Sequence, residues 1–271
     1  MKKINALLIT KGHPFERGPF FDMYDSLEIE YTHIEHPAAE HILNPNNAVN
    51  YNLLCFYDMP GMNFDLPEDN IEIGPNEDFK EGFNQLLEEG KPMLFIHHSI
   101  AGWPAWDQYA EIIGGKFLYK EKKLRGKLTI DSGYRHDITH VAKVVNPHPI
   151  TEGIKEIKIT DEVYLYEIFE DSIYPLLTSD YLFEKENFYS ANNAINGQMY
   201  NNDNWDHPPG LGHVAWVKSY KNSPIVYLQM GDGPSTYKNK TYRKLLRQSI
   251  DWLTSKEAQE WVQNEKEKKN V

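Results

Sequence analysis

The chain has 271 residues, of which 28 are Lys or Arg and 40 are Asp or Glu, so its formal net charge is −12. Apolar residues make up 40% and aromatic residues 13%, which is enough for a sizeable core and excludes a disordered chain. Nucleic acid and membranes are not expected as partners, because phosphate surfaces need an excess of Lys and Arg and no apolar run approaches the roughly 18 residues of a membrane helix.

In the first half of the chain, short apolar runs alternate with helical patterns. The apolar runs predict strands over residues 4–10, 28–34, 53–59 and 92–98. Apolar residues at helical spacing predict helices over residues 20–27, 79–87 and 103–113. Strands and helices in this order, with short connections, require parallel strands that are covered by helices on both faces.

The second half is less regular. Strand-like runs are found over residues 128–130, 141–145, 157–159, 163–168, 214–217 and 225–230. A polar loop is predicted over residues 192–212, and a helix over about 241–262, followed by a solvated tail at 265–270. Since no repeat or linker divides the sequence, we predict a single domain over residues 1–271 with a decorated second half.

Ligands of open α/β sheets bind at the carboxyl ends of the strands. His97, His98 and Ser99 follow one of these strands, and successive strand residues point to opposite faces, so we expect one histidine to face the cleft. Ser99 lacks the Gly two residues before it that a nucleophile elbow requires, which makes a serine hydrolase a poor fit. Trp103 is close enough to the strand end to stack on the face of a sugar.

Two further clusters carry candidate side chains. His136 and His140 are four residues apart and could bind a metal if the segment were helical, although a structural role is favoured for His140. Asp161 and Glu162 follow a short strand, and one of them could act as an acid or base; two solvated turn residues are an equal alternative. No glycine-rich phosphate loop is present, so nucleotide binding has little support.

Five short motifs occur in this order along the chain: FIHHSIAGW at 95–103, IGGKF at 113–117, HPITEG at 148–153, DEVY at 161–164 and SIDW at 249–252. Together they resemble the ThuA-like (trehalose utilisation) family. The resemblance implies a class I glutamine amidotransferase-like fold, a flavodoxin-like three-layer α/β sandwich with a mostly parallel central sheet. It also implies a role in the utilisation of disaccharides or keto-sugars.

The single cysteine bears on the chemistry. Amidotransferases of this fold carry a nucleophilic Cys at the turn after a central strand, whereas the corresponding turn at 97–99 has none. Cys55 lies inside a predicted strand, where a thiol is inert, so we predict that the protein is not a glutaminase. One cysteine also excludes an intrachain disulfide, and we expect a cytoplasmic protein. Residues 230–234 lack the His that many ThuA-like sequences have after the last strand.

The leading hypothesis is an enzyme that processes a sugar or keto-sugar. Its predicted catalytic residues are His97, His98 and Glu162, and its predicted substrate-binding residues are His13, Ser99, Trp103, Tyr164 and Asp232. A divalent metal held by some of the histidines would assist such chemistry. The alternatives are a non-catalytic sugar-binding or regulatory module and a metal-dependent hydrolase. The expected partners are a small sugar and, in a homo-oligomer, further copies of the chain.

Overall fold

A computed structural model describes residues 3–66 and 71–269. The strands are β1 (Asn5–Lys11), β2 (Glu30–Glu35), β3 (Leu53–Asp58), β4 (Met93–Ile96), β5 (Gly115–Lys116), β6 (Lys122–Leu124), β7 (Lys127–Thr129), β8 (Gly133–Val144), β9 (Glu156–Leu165), β10 (Glu167–Ile168), β11 (Tyr174–Ser179), β12 (Tyr189–Ser190), β13 (His213–Tyr220) and β14 (Ser223–Leu228). The α-helices are α1 (Arg17–Asp25), α2 (Ala38–Ile42), α3 (Glu77–Glu88), α4 (Asp107–Ile113), α5 (Ala191–Ile195), α6 (Pro234–Tyr237), α7 (Lys240–Leu253) and α8 (Lys256–Lys269).

The central sheet has a parallel half and an antiparallel half. Strands β2, β1, β3, β4 and β14 lie side by side in that order and pair in parallel. This 2-1-3-4-5 order is that of flavodoxin-like folds. Beyond β14 the sheet continues through β13, β11, β8 and β12, with β9 also paired to β8, and these pairings are antiparallel. The predicted α/β fold and its decorated second half are confirmed.

The parallel strands are buried on both faces because successive side chains alternate between two helical layers. On β1, Leu7 and Ile9 pack in the cluster that holds Phe83 of α3, whereas Ala6 and Leu8 pack in the cluster that holds Leu246 of α7. The described part of the chain is therefore a three-layer sandwich.

The C-terminal region differs from its prediction. Instead of one helix over about 241–262, α7 ends at Leu253 and α8 begins at Lys256. The break is stabilised by Ser255, whose Oγ accepts a hydrogen bond from the backbone N–H of Ala258 (3.2 Å), as an N-cap does. The predicted solvated tail at 265–270 is helical as far as Lys269, and Asn270 lies outside the described residues.

The segment around residues 131–140, whose sequence indicates a mixture of loop and strand, forms much of β8. It pairs with β9 in a long antiparallel ladder whose register shifts between Arg135 and Ile138. A half-exposed strand with a bulge shows neither a continuous apolar run nor a clean alternation, so its pattern in the sequence is weak.

His140 makes the stability of the fold sensitive to acid. Its side chain is 3% exposed and its Nδ1 lies 2.8 Å from Ser179 Oγ. Burial lowers the pKa of His140 from 6.5 to about 4, so between these values the unfolded chain binds more protons and stability falls as the pH falls. Between pH 7 and pH 5 we expect His140 to contribute a loss of about 2 kcal/mol in the free energy of unfolding.

Urea denaturation of the wild type and of His140→Gln at both pH values measures this contribution. The variant should lose less stability on acidification than the wild type does. Equal losses in the two proteins would contradict the assignment to His140.

Candidate functional site

Four strands bring polar side chains to one edge of the sheet. His13 follows β1, His97 follows β4, and Asp232 follows β14. Glu162 and Tyr164 reach the same place from β9 in the antiparallel half. The structure thus gathers five of the predicted site residues, because the carboxyl ends of parallel strands share an edge and β9 passes beside it.

His97 is at the centre of this group. Its Nδ1 lies 2.6 Å from the carbonyl oxygen of Gln229, which can only accept a hydrogen bond, so Nδ1 carries a proton. Its Nε2 lies 3.1 Å from Glu162 Oε2, 3.5 Å from Asp232 Oδ1 and 2.9 Å from the Tyr164 hydroxyl. The Tyr164 ring also stacks on the imidazole at 4.9 Å.

The two carboxylates make His97 cationic. Burial alone would lower the pKa of His97, but the hydrogen bonds and negative charges of Asp232 and Glu162 raise it well above 6.5. Burial likewise acts to raise the pKa of Asp232, and the His97 imidazolium outweighs it, so that this pKa lies below its ordinary value. The result is a buried imidazolium that holds two carboxylates in place.

Asp161 is a positioning residue of the site. The sequence showed it only as one of two adjacent acids and did not distinguish its role from that of Glu162. Its carboxylate accepts hydrogen bonds from the backbone N–H groups of Gly231 (2.7 Å), Asp232 (2.9 Å) and Glu162 (3.0 Å). These bonds fasten β9 to the turn after β14 and so fix Glu162 beside Asp232. Burial raises the pKa of Asp161 to about 6. The only feature of the sequence that pointed to Asp161 was its place next to Glu162.

A cavity of about 360 Å³ opens next to this group. Its lining residues are His13, Met59, Phe64, Ala101, Phe117, Tyr119, Tyr134, His136, Glu162, Tyr164, Ala191, Ala194, Ile195 and Met199. Glu162 Oε1 lies 3.3 Å from His136 Nδ1, so one oxygen of Glu162 contacts His97 and the other contacts a cavity residue. Most of the apolar lining comes from the short helix α5 and from separate loops, and it was missed because no motif marks it.

Neither His97 nor His98 is among the residues that line the cavity, so the expectation that one ring faces the cleft needs correction. The His98 ring is buried between the rings of His13 (4.7 Å) and Tyr57 (4.3 Å). Burial, followed by the charge of His97, lowers the pKa of His98 well below 6.5. His98 is therefore neutral and buried among other rings, and it does not line the cavity.

Ser99 and Trp103 also lie away from the cavity. Ser99 is fully buried in the short 3₁₀ turn after β4. The Trp103 ring packs on Phe79 of α3 (5.5 Å) and on His36 (5.7 Å). Trp103 has a positive φ of 46°, and its indole lies in the core cluster on the α3 side of the sheet. The stacking platform predicted at Trp103 is therefore not formed.

The predicted metal pair is not formed either. His136 contacts Glu162, whereas His140 contacts Ser179 on β11. The two histidines lie on a bulged strand and not on a helix, so their four-residue spacing does not bring them together. Among the described residues, a different set has ligand atoms within 4.8 Å of one another: His97, Glu162 and Asp232.

Cys55 lies in β3 and is buried. Burial raises the pKa of its thiol, which suppresses the reactive thiolate. We therefore expect iodoacetamide at neutral pH to leave the folded protein unmodified and to alkylate the protein in urea, as measured by intact mass. Rapid alkylation of the folded protein would show an accessible, reactive thiol and would contradict the prediction that Cys55 is inert.

Comparison with known proteins identifies the family of the chain. The sequence model described as "ThuA: Trehalose utilisation" matches residues 19–253. The chain belongs to the ThuA family. No curated protein matches the sequence. No helix of the described residues is long and apolar enough to cross a membrane.

Three solved structures are similar to this chain over most of its length. A protein described as ThuA-like from Parabacteroides merdae has a TM-score of 0.64 at 14% identity, over 94% of this chain and 91% of its own. One from Bacteroides uniformis has a TM-score of 0.57 at 16% identity, over 94% of each chain. A protein from Salmonella typhimurium described as cytoplasmic has a TM-score of 0.56 at 12% identity, over 93% of this chain and all of its own. At such identities the similarity is one of fold.

Proposed function

We propose that this ThuA-family protein is an enzyme of sugar utilisation that removes a proton from a carbon next to the carbonyl of a keto-sugar, with Glu162 as the general base. The observation that carries the proposal is the position of the Glu162 carboxylate. One oxygen is held by the cationic His97, and the residue lines the cavity beside His136. A carboxylate fixed by a buried cation keeps its orientation while it faces a ligand.

The proposed step conserves atoms and charge. The C–H bond breaks, Glu162 takes the proton, and the electron pair forms an enolate on the sugar. His13, His136 and Tyr164 line the cavity and can donate hydrogen bonds to the enolate oxygen. Burial, followed by the charge of Glu162, raises the pKa of Tyr164 well above its usual value, so its hydroxyl stays protonated. Return of the proton to the same carbon completes an exchange. If the hydroxyl proton on that carbon first moves to the enolate oxygen, return of the carbon-bound proton to the former carbonyl carbon completes an isomerisation.

Proton NMR in D₂O tests the proposal. Keto-glucosides with the carbonyl at C2, C3 or C4 are incubated with the protein, and the signals of the hydrogens beside the carbonyl are followed. We expect at least one of these signals to disappear faster with the protein than without it. Binding of the sugars without any faster exchange would instead indicate the sugar-binding module that the same fold could provide.

A metal-dependent hydrolase is the second candidate, and the convergence of His97, Glu162 and Asp232 favours it. Imidazole and carboxylate are ligands that zinc accepts, and a zinc-bound water is a strong nucleophile at neutral pH. Metal analysis of the purified protein and treatment with EDTA separate the two candidates. One equivalent of metal, with hydrolysis that EDTA abolishes, would support the hydrolase; exchange that survives EDTA would support proton transfer.

The proposal also covers the charge of the ligand, the cellular location and the oligomeric state. A small neutral sugar suits the acidic net charge of −12, which would repel an anionic ligand. The absence of an intrachain disulfide partner for Cys55 and the description of the Salmonella relative as cytoplasmic support a cytoplasmic location. A homo-oligomer is also proposed, and light scattering of the purified protein would establish its stoichiometry.

A further inference from the structure

The cavity is divided into a polar floor and an apolar rim. Glu162 and Tyr164 are about 5% exposed and lie at the buried end, together with the buried rings of Phe117 and Tyr119. The exposed lining residues are Phe64, which is 68% exposed, and Met199, which is 52% exposed. A ligand must therefore enter past Phe64 and Met199 with its reacting end foremost.

Five lining residues form the rim, and their side chains carry no strong hydrogen-bonding group: Phe64, Ala191, Ala194, Ile195 and Met199. At its edge the hydroxyl of Tyr134, another lining residue, lies 3.9 Å from Met199 Sδ. A second sugar ring placed on the rim would lose water from several hydroxyls and could regain a partner at Tyr134 only for one of them, at a cost of about 1–3 kcal/mol for each polar group left without a partner. An apolar group in the same place would gain from the removal of its surface from water.

The rim is held in place by the rest of the fold. The carboxylate of Asp131 accepts hydrogen bonds from Ser190 Oγ (2.6 Å) and from the backbone N–H of Asn192 (2.9 Å), which fixes the start of α5. At the other end, the Tyr134 hydroxyl accepts a hydrogen bond from the backbone N–H of Tyr200 (3.0 Å), next to Met199. Anchored walls of this kind are typical of preformed ligand sites.

The volume sets the size of the ligand. About 360 Å³ is near the lower end of the roughly 300–1,000 Å³ found for small-molecule sites. We propose that the substrate is a glycoside with an apolar, aryl or alkyl, aglycone: the sugar occupies the floor beside Glu162, and the aglycone occupies the rim formed by Phe64, Ala191, Ala194, Ile195 and Met199. This inference rests on the proposed function for the placement of the sugar end.

Isothermal titration calorimetry with phenyl glucosides, methyl glucosides and trehalose tests the inference. Both anomers of each glucoside are used, and the Glu162→Gln protein is titrated alongside the wild type to remove any effect of turnover. We expect the better phenyl glucoside to bind at least tenfold more tightly than its methyl counterpart and than trehalose. Trehalose binding as tight as that of the phenyl glucosides, or no binding of the phenyl glucosides, would overturn the inference.

A matched pair of variants locates the aglycone. Met199→Gln keeps the length of an exposed side chain and adds an amide, so it should reduce the preference for phenyl over methyl glucoside at least threefold. Leu182→Gln changes another exposed apolar residue, outside the cavity lining, and should leave the preference unchanged. An unchanged preference in Met199→Gln would overturn the placement.

The two proposals fail separately in these experiments. A phenyl preference without any exchange in D₂O would remove the proposed proton transfer and leave the apolar rim in place. Exchange without a phenyl preference would remove the aglycone site and leave the role of Glu162 in place.

Discussion

Replacement of Glu162 by Gln is expected to slow the exchange of the sugar hydrogen with D₂O by about 10²- to 10⁴-fold, the range of general acid–base contributions. The amide keeps the shape of the side chain but cannot take a proton at neutral pH. The apparent affinity for the sugar should change little, because the proposed role of Glu162 is in the transfer and not in the binding. Initial exchange rates from NMR, measured over a range of sugar concentrations, give both quantities.

Glu156→Gln is the matched control for this variant. Glu156 begins the same strand, β9, and its side chain is exposed outside the cavity. The same loss of one negative charge from this strand should leave the exchange rate unchanged. If the Glu162→Gln protein exchanged the hydrogen as fast as the control, Glu162 would not be the base.

Replacement of His97 by Gln is expected to lower the free energy of unfolding by about 3 kcal/mol, near the lower end of the range for breaking a buried ion pair. The variant would leave the carboxylates of Glu162 and Asp232 close together without the cation that holds them. The lower end is appropriate because the Asp232 side chain is 31% exposed, so that water partly screens its charge. Urea denaturation at pH 7 measures the change.

A double variant distinguishes lost charge compensation from lost packing. In an Asp232→Asn background one of the two carboxylates is gone, so the further change His97→Gln should cost less than it does in the wild type. Equal costs in the two backgrounds would mean that His97 stabilises the fold by packing alone.

Much of the parallel half of the fold could be predicted from the sequence. Strands such as β3 and β4 are continuous apolar runs, and α3 has apolar residues at helical spacing with Asn76 as its N-cap. The antiparallel half was harder to predict from the sequence, because β8 is half-exposed and pairs with β9 over a long stretch that contains a bulge. The pairing of these strands depends on contacts between distant segments, which the local pattern does not encode.

The candidate site could be predicted only in part. Convergence of strand ends places His13, His97 and Asp232 together, and this rule needs no side-chain detail. The direction of a side chain after a strand end depends on the local backbone, and the positive φ angles of His97 (52°) and Trp103 (46°) are not evident from the sequence. In the structure His97 is fully buried against Glu162 and does not line the cavity, and Trp103 packs in the core.

The central claim is that Glu162 touches the reacting carbon of a keto-sugar. A crystal structure of the Glu162→Gln protein with a bound keto-glucoside tests it most directly, because the variant binds the sugar without turning it over. The account predicts that the side-chain amide introduced at position 162 lies about 3–3.5 Å from the carbon beside the carbonyl, the distance of a reactive approach. A sugar bound in the cavity with this carbon turned away from position 162, or bound elsewhere on the protein, would contradict the account.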